Sequence, residues 1–204
     1  DLAYSQFNKN DNSSLDTGIV IINIGHAGRS EISAMIEKVI AEKPAATGVD
    51  ILFNEPKDSS TDAELKQLFS SSPKVVLAYK LIVDKEKLLP EGFLYPLAKQ
   101  KGYANFVGEE GGSIRYFAAS MEKKNEKFES FSSAVAQVAF PEKYQKLIER
   151  NKITEQVNFT RTPDKYIVID GMEYLENVNA AVSLNNKIVL IGFVANNVNS
   201  IEDK

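Results

Sequence analysis

Residues 19–53 read IVIINIGHAGRSEISAMIEKVIAEKPAATGVDILF, and this stretch decides the fold. Ile19-Val20-Ile21-Ile22-Asn23-Ile24 is an almost continuous β-branched run, which suits a strand covered on both faces, and Gly25 ends it. From about Ser30 to Glu42, Ile32, Met35, Ile36, Val39 and Ile40 repeat at helical spacing and form one apolar face. Ser30 is expected to cap this helix, Glu31 suits its positive end, and Pro44 stops it. Ala46 to Phe53 then reads as a second buried strand.

Outward from this unit the pattern repeats. Thr61-Asp62-Ala63-Glu64 has the form of a capping box, opening a helix with Leu65, Leu68 and Phe69 on its apolar face. Val75 to Tyr79 is a third strand. Strand, helix, strand, helix, strand in this order predicts right-handed βαβ units and three runs in one mostly parallel sheet. Further on, Tyr103 to Val107 and Ile114 to Ala118 flank the glycine-containing turn Gly108 to Ser113 and predict a hairpin. Phe131, Val135, Val138 and Ala139 mark a helix, and Tyr144, Leu147 and Ile148 a second after Pro141. Phe159 and Tyr166 to Ile169 look strand-like, and Lys187 to Gly192 is the last buried strand. Leu52 and Leu190 read as core residues. The expected fold class is α/β, one domain over residues 1–204 with a mixed, largely parallel sheet flanked by helices.

Composition agrees with a globular chain of 204 residues, 43% hydrophobic and 25% charged. The net charge of −4 argues against nucleic acid as a partner. Without cysteine there is no disulfide, thiol nucleophile or cysteine metal site, and a single histidine, His26, excludes a multi-histidine centre. No cofactor and no metal are expected. No apolar run approaches the roughly 18 residues of a membrane span. The chain opens on Asp1 without a signal peptide, so it is expected to be a fragment or processed product of a longer protein.

Four stretches, in this order, resemble the type-two CHASE domain. They are Asp16 with Ile19 to Ile22; Gly48 to Phe53 followed by Asp62 and Leu65; Gly102 to Phe106 followed by Gly112-Ser113-Ile114-Arg115; and Lys187 to Gly192. The resemblance runs from about Asp1 to Gly192. Of the family's aromatic patch and arginine after the first strand, only Arg29 is present, and Glu109 and Glu110 stand where an Asp-rich turn is usual. The resemblance implies an extracytoplasmic, periplasmic sensory module of a bacterial membrane receptor. It would be anchored to the inner membrane by flanking segments and bind an unknown small-molecule or protein ligand, and it could pair as a homodimer. It implies no enzyme, with a soluble periplasmic enzyme or an assembly scaffold as the rival readings.

The residues suggest where a ligand would sit. Gly25, His26 and Arg29 lie between a buried strand and a helix start, where free N–H groups and a guanidinium can hold an anion. Asp50 and Asp62 follow the second strand, at the carboxyl edge where parallel sheets bind ligands. Asn105 and Arg115 are expected on adjacent short strands among Tyr103, Phe106, Tyr116 and Phe117, as a polar pocket floor. Each has a structural alternative: a tight turn with Arg29 paired to an acid, an exposed loop histidine, acids stabilising a helix start, and a polar pair fixing strand register. No nucleophile elbow, phosphate loop or histidine cluster is present to support catalysis.

Overall fold

The computed structural model describes residues 14–83, 87–110, 113–178 and 182–194. The first three apolar runs become β1 (Asp16–Asn23), β2 (Ala46–Asp50) and β3 (Val75–Val83), joined by α1 (Arg29–Ala41) and α2 (Ser59–Ser71). The chain continues through β4 (Leu88–Glu91), β5 (Gln100–Tyr103), and a hairpin of β6 (Val107–Glu110) with β7 (Ser113–Phe117). A second hairpin, β8 (Ser120–Lys123) and β9 (Glu126–Glu129), leads into α3 (Phe131–Ala139) and α4 (Pro141–Glu149). Then come β10 (Glu155–Gln156), which adds antiparallel to β7, a 3-10 turn at Pro163–Lys165, β11 (Tyr166–Asp170), α5 (Gly171–Leu175) and β12 (Ile188–Gly192).

The main sheet has seven strands in the order β11-β1-β12-β2-β3-β4, with β5 also paired to β3. Every pairing in it is parallel except that of β4 with β3. The mixed, largely parallel sheet flanked by helices is therefore the α/β architecture read from the sequence. One refinement concerns neighbours. β1 and β2 share the sheet without pairing, because β12 lies between them, with Ile21 opposite Leu190 and Leu190 opposite Gly48.

The core sits on one face, where α1, α2 and α5 pack. Ile22, Ile191, Val49 and Leu77 form one register row across four strands, and Met35, Ile36, Val39, Leu65 and Phe69 cover it. The opposite face carries α3 over β2, β3 and β5, with Ala46, Val76, Ala134 and Val135 buried between them. Two glycines permit that approach. A Cβ on Gly102 would stand 2.5 Å from the Phe131 Cα, and one on Gly48 would stand 2.8 Å from the Phe131 ring.

Several local expectations change. β2 ends at Asp50, where its pairing with Gly192 ends, so Leu52 lies beyond the sheet and is 43% exposed. Leu190 is half-buried, because it points away from the face under α1 and α2. The N-cap of α1 is Gly28, which has no side chain to offer, and Ser30 already lies inside the helix. α2 starts three residues earlier than the capping box suggested, because Asp58 rather than Thr61 is its N-cap and accepts the Thr61 N–H at 2.9 Å. Phe159 falls in a loop.

Candidate functional site

The carboxyl ends of β1, β12, β2 and β5 open onto a crevice formed by the segments that follow them. Parallel packing places these ends on one edge, so residues far apart in sequence converge there. The crevice has three adjoining recesses of about 690, 500 and 350 Å³. The first two share Ile24, Leu52, Asn54 and Phe193; the second and third share Asp50, Ala104, Asn105 and Phe106.

The first recess holds Gly25, His26 and Arg29. Gly25 adopts φ +52, the left-handed region that turns the chain sharply out of β1. Asn23 secures this turn: its Oδ1 accepts from the Gly25 N–H at 3.1 Å and the Val194 N–H at 2.9 Å. It thereby ties the segment after β1 to the segment after β12. His26 is exposed at the rim.

Arg29 is committed inside the protein. Its Nη1 lies 2.5 Å from Asp62 Oδ1, its Nη2 donates to the Glu55 carbonyl at 2.5 Å, and its guanidinium carbon stands 5.5 Å from the centre of the Phe53 ring. Asp62 is buried behind it and takes a second hydrogen bond from the Lys57 N–H at 2.8 Å. Desolvation raises the pKa of Asp62, but the Lys57 N–H, the bond to Arg29 and the charges of Arg29 and Lys66 outweigh it and hold the carboxyl below its ordinary value. Glu31 adds an acid to the first turn of α1, with a carboxylate oxygen 2.8 Å from where a Gly28 Cβ would be. The positive potential that suggested an anion site is thus offset from within the protein.

The second and third recesses are built differently. Asp50 stands exposed at the end of β2 and lines both. Asn105 also lines both, but from the loop after β5 rather than from a strand. Its side chain acts as a backbone surrogate: Oδ1 accepts from the Leu81 N–H at 2.7 Å and Nδ2 donates to the Leu81 carbonyl at 2.9 Å. This holds the neighbouring Phe106 at the junction of the recesses. Lys80 reaches the second recess and lies 3.8 Å from Glu91. Tyr103 forms a buried wall of the third. Its hydroxyl donates to the Ala118 carbonyl at 3.0 Å, and burial pushes its pKa up to about 12.

Of the residues read from the sequence, the crevice therefore gathers Gly25, His26, Arg29, Asp50 and Asn105. Asp62 supports it from behind, and Arg115 points outward from β7 while its neighbours Ile114 and Tyr116 line the third recess. Sequence reading missed Asn23, Leu52, Phe159 and Phe193. Their roles depend on which loops meet; the one local signal was a large apolar residue within two positions of a strand end, at Leu52 and Phe193. Among the described residues, no group of acids and histidine is arranged to hold a metal ion, and no helix is long and apolar enough to cross a membrane.

No curated protein and no solved structure matches the chain. The family model of the CHASE2 domain matches residues 9–203, and the chain therefore belongs to the CHASE2 domain family of extracellular sensing modules.

Proposed function

We propose that this domain is the extracytoplasmic sensor of a bacterial membrane receptor and that the crevice at the carboxyl edge of its sheet is where it takes a small-molecule ligand. One observation carries the reading: in a family of sensing domains, this crevice presents Leu52, Phe106 and Phe193 to solvent along one continuous rim. Large apolar groups that converge on a concave surface mark a binding site. Sensing would work by differential affinity. A ligand seated against both Phe106 and Phe193 favours the arrangement in which the loop after β5 and the segment after β12 are drawn together. The segment after β12 then passes that preference toward membrane-spanning parts of the receptor.

The test is a thermal-shift screen of a chemically broad metabolite library against the wild-type chain and Ala104→Trp. Ala104 lines the second and third recesses, while its backbone N–H bonds to the Tyr79 carbonyl independently of the side chain. We expect stabilising compounds whose effect disappears in the variant. Stabilisers that act equally on both proteins would place sensing elsewhere.

A further inference from the structure

The third recess points to a ligand class, an inference that rests on reading the crevice as the sensory site. Six of its wall residues are aromatic: Tyr103, Phe106, Tyr116, Phe117, Phe131 and Phe159. Three of these are largely open to solvent, Phe106 at 68%, Phe159 at 50% and Tyr116 at 48%. Scattered exposed apolar residues are ordinary, but three rings brought from separate loops and strands to one recess are not required by core packing. Among the described residues that line it, Asp50 carries the single formal charge, and no lysine or arginine takes part.

Aromatic faces are electron-rich and attract cations. A carboxylate at the mouth adds to that attraction, and its oxygens offer about four acceptor positions, so an existing contact leaves room for a ligand donor. The Arg29 guanidinium, held against Asp62 and the Glu55 carbonyl, is not among the groups that line this recess. The Asn105 amide is likewise engaged with Leu81. A volume of about 350 Å³ lies at the small end of ligand pockets, roughly 300–1,000 Å³. We propose that this recess binds a small organic ammonium ion with an apolar or aromatic body, its ring or alkyl part stacked among Phe106, Tyr116 and Phe159 and its ammonium directed at Asp50. The anionic ligand near Arg29 suggested by the sequence is replaced by a cationic one some way along the same crevice.

The probes are three molecules of similar shape and different charge: phenethylamine, 2-phenylethanol and 3-phenylpropionate. Calorimetry on the full 204-residue chain is expected to give binding of the amine, at least about tenfold weaker binding of the alcohol, and no heat from the acid. Asp50→Asn should bring the amine down to the level of the alcohol, whereas Phe106→Ala should weaken both. Both positions are exposed, and a melting curve on each variant checks that it folds. Acid binding as tight as the amine, an unchanged amine affinity in Asp50→Asn, or silence from all three probes overturns the proposal. If library compounds of another charge class still depend on Ala104, the sensory crevice stands and only this ligand class falls.

Discussion

Arg29 and Asp62, separated by 33 residues, form a buried ion pair that locks the start of α1 to the first turn of α2, with Nη1 and Oδ1 2.5 Å apart. The Asp62 side chain is only 4% exposed. Removing either partner strands the other without compensation, whereas removing both replaces the pair by apolar packing. Arg29→Met and Asp62→Leu are therefore each expected to lower the melting temperature, and the double variant to lose less than the two singles added together. Additive losses in a double-mutant cycle would mean that the pair is not coupled in solution.

Acid should loosen the same region. Asp58 accepts from the Thr61 N–H, the Thr61 hydroxyl and the Ser60 hydroxyl, and these bonds lower its pKa from 3.8 to about 2. A carboxyl whose folded pKa is depressed stabilises the protein fully above its unfolded pKa and loses that contribution as pH falls through the folded one. Asp62 acts in the same direction. Asp58→Asn keeps a side chain able to cap the helix but removes the titration. Between about pH 4 and 2 the wild-type melting temperature should fall more steeply than that of the variant; parallel curves would refute the assignment.

Burial ranks three leucine and isoleucine truncations. Ile191 is fully buried between Ile22 and Val49, so Ile191→Ala is expected to cost about 2–5 kcal/mol. Leu52→Ala, at the exposed crevice rim, should stay within about 0.5 kcal/mol. Half-buried Leu190 should fall between them. Chemical denaturation of the three variants checks the order, and a Leu52 cost equal to that of Ile191 would contradict it.

Gly102→Ala is expected to be more damaging than Gly48→Ala. At Gly102 the added Cβ meets backbone, the Phe131 Cα at 2.5 Å and N at 2.6 Å, so α3 must lift from the sheet. At Gly48 it meets movable side-chain ends, Phe131 Cζ at 2.8 Å and Leu190 Cδ2 at 2.9 Å. Because Ser130 and Phe131 also line the aromatic recess, Gly102→Ala should weaken probe binding as well as stability. Equal melting temperatures for the two variants would show that α3 yields freely.

The candidate site was legible only in parts. Gly25, Arg29 and Asp50 could be placed near strand ends because strand and helix periodicities are local properties of neighbouring residues. Phe106 and Tyr116 were noticed as aromatics on a short hairpin. Phe159 was not joined to them, because 43 residues separate it from Tyr116 and only the fold brings the two into one recess. Arg29 was read both as a group to hold an anion and as the partner of an acid; that acid, Asp62, lies on a different helix, and only the fold brings the two together.

From the sequence alone came the alternation of strands and helices from Ile19 to Tyr79, the hairpin after Tyr103, the helices around Val135 and Leu147, and the resemblance that family membership bears out. These follow from hydrophobic period and turn chemistry, which act within a few residues. The tertiary structure decided that the last strand, β12, enters between β1 and β2, that Leu52 faces solvent, and that Arg29 is spent on Asp62. Strand order and side-chain pairing are contests among distant segments for the same neighbours, and the winner is set by the packing of the whole core rather than by any one stretch of chain.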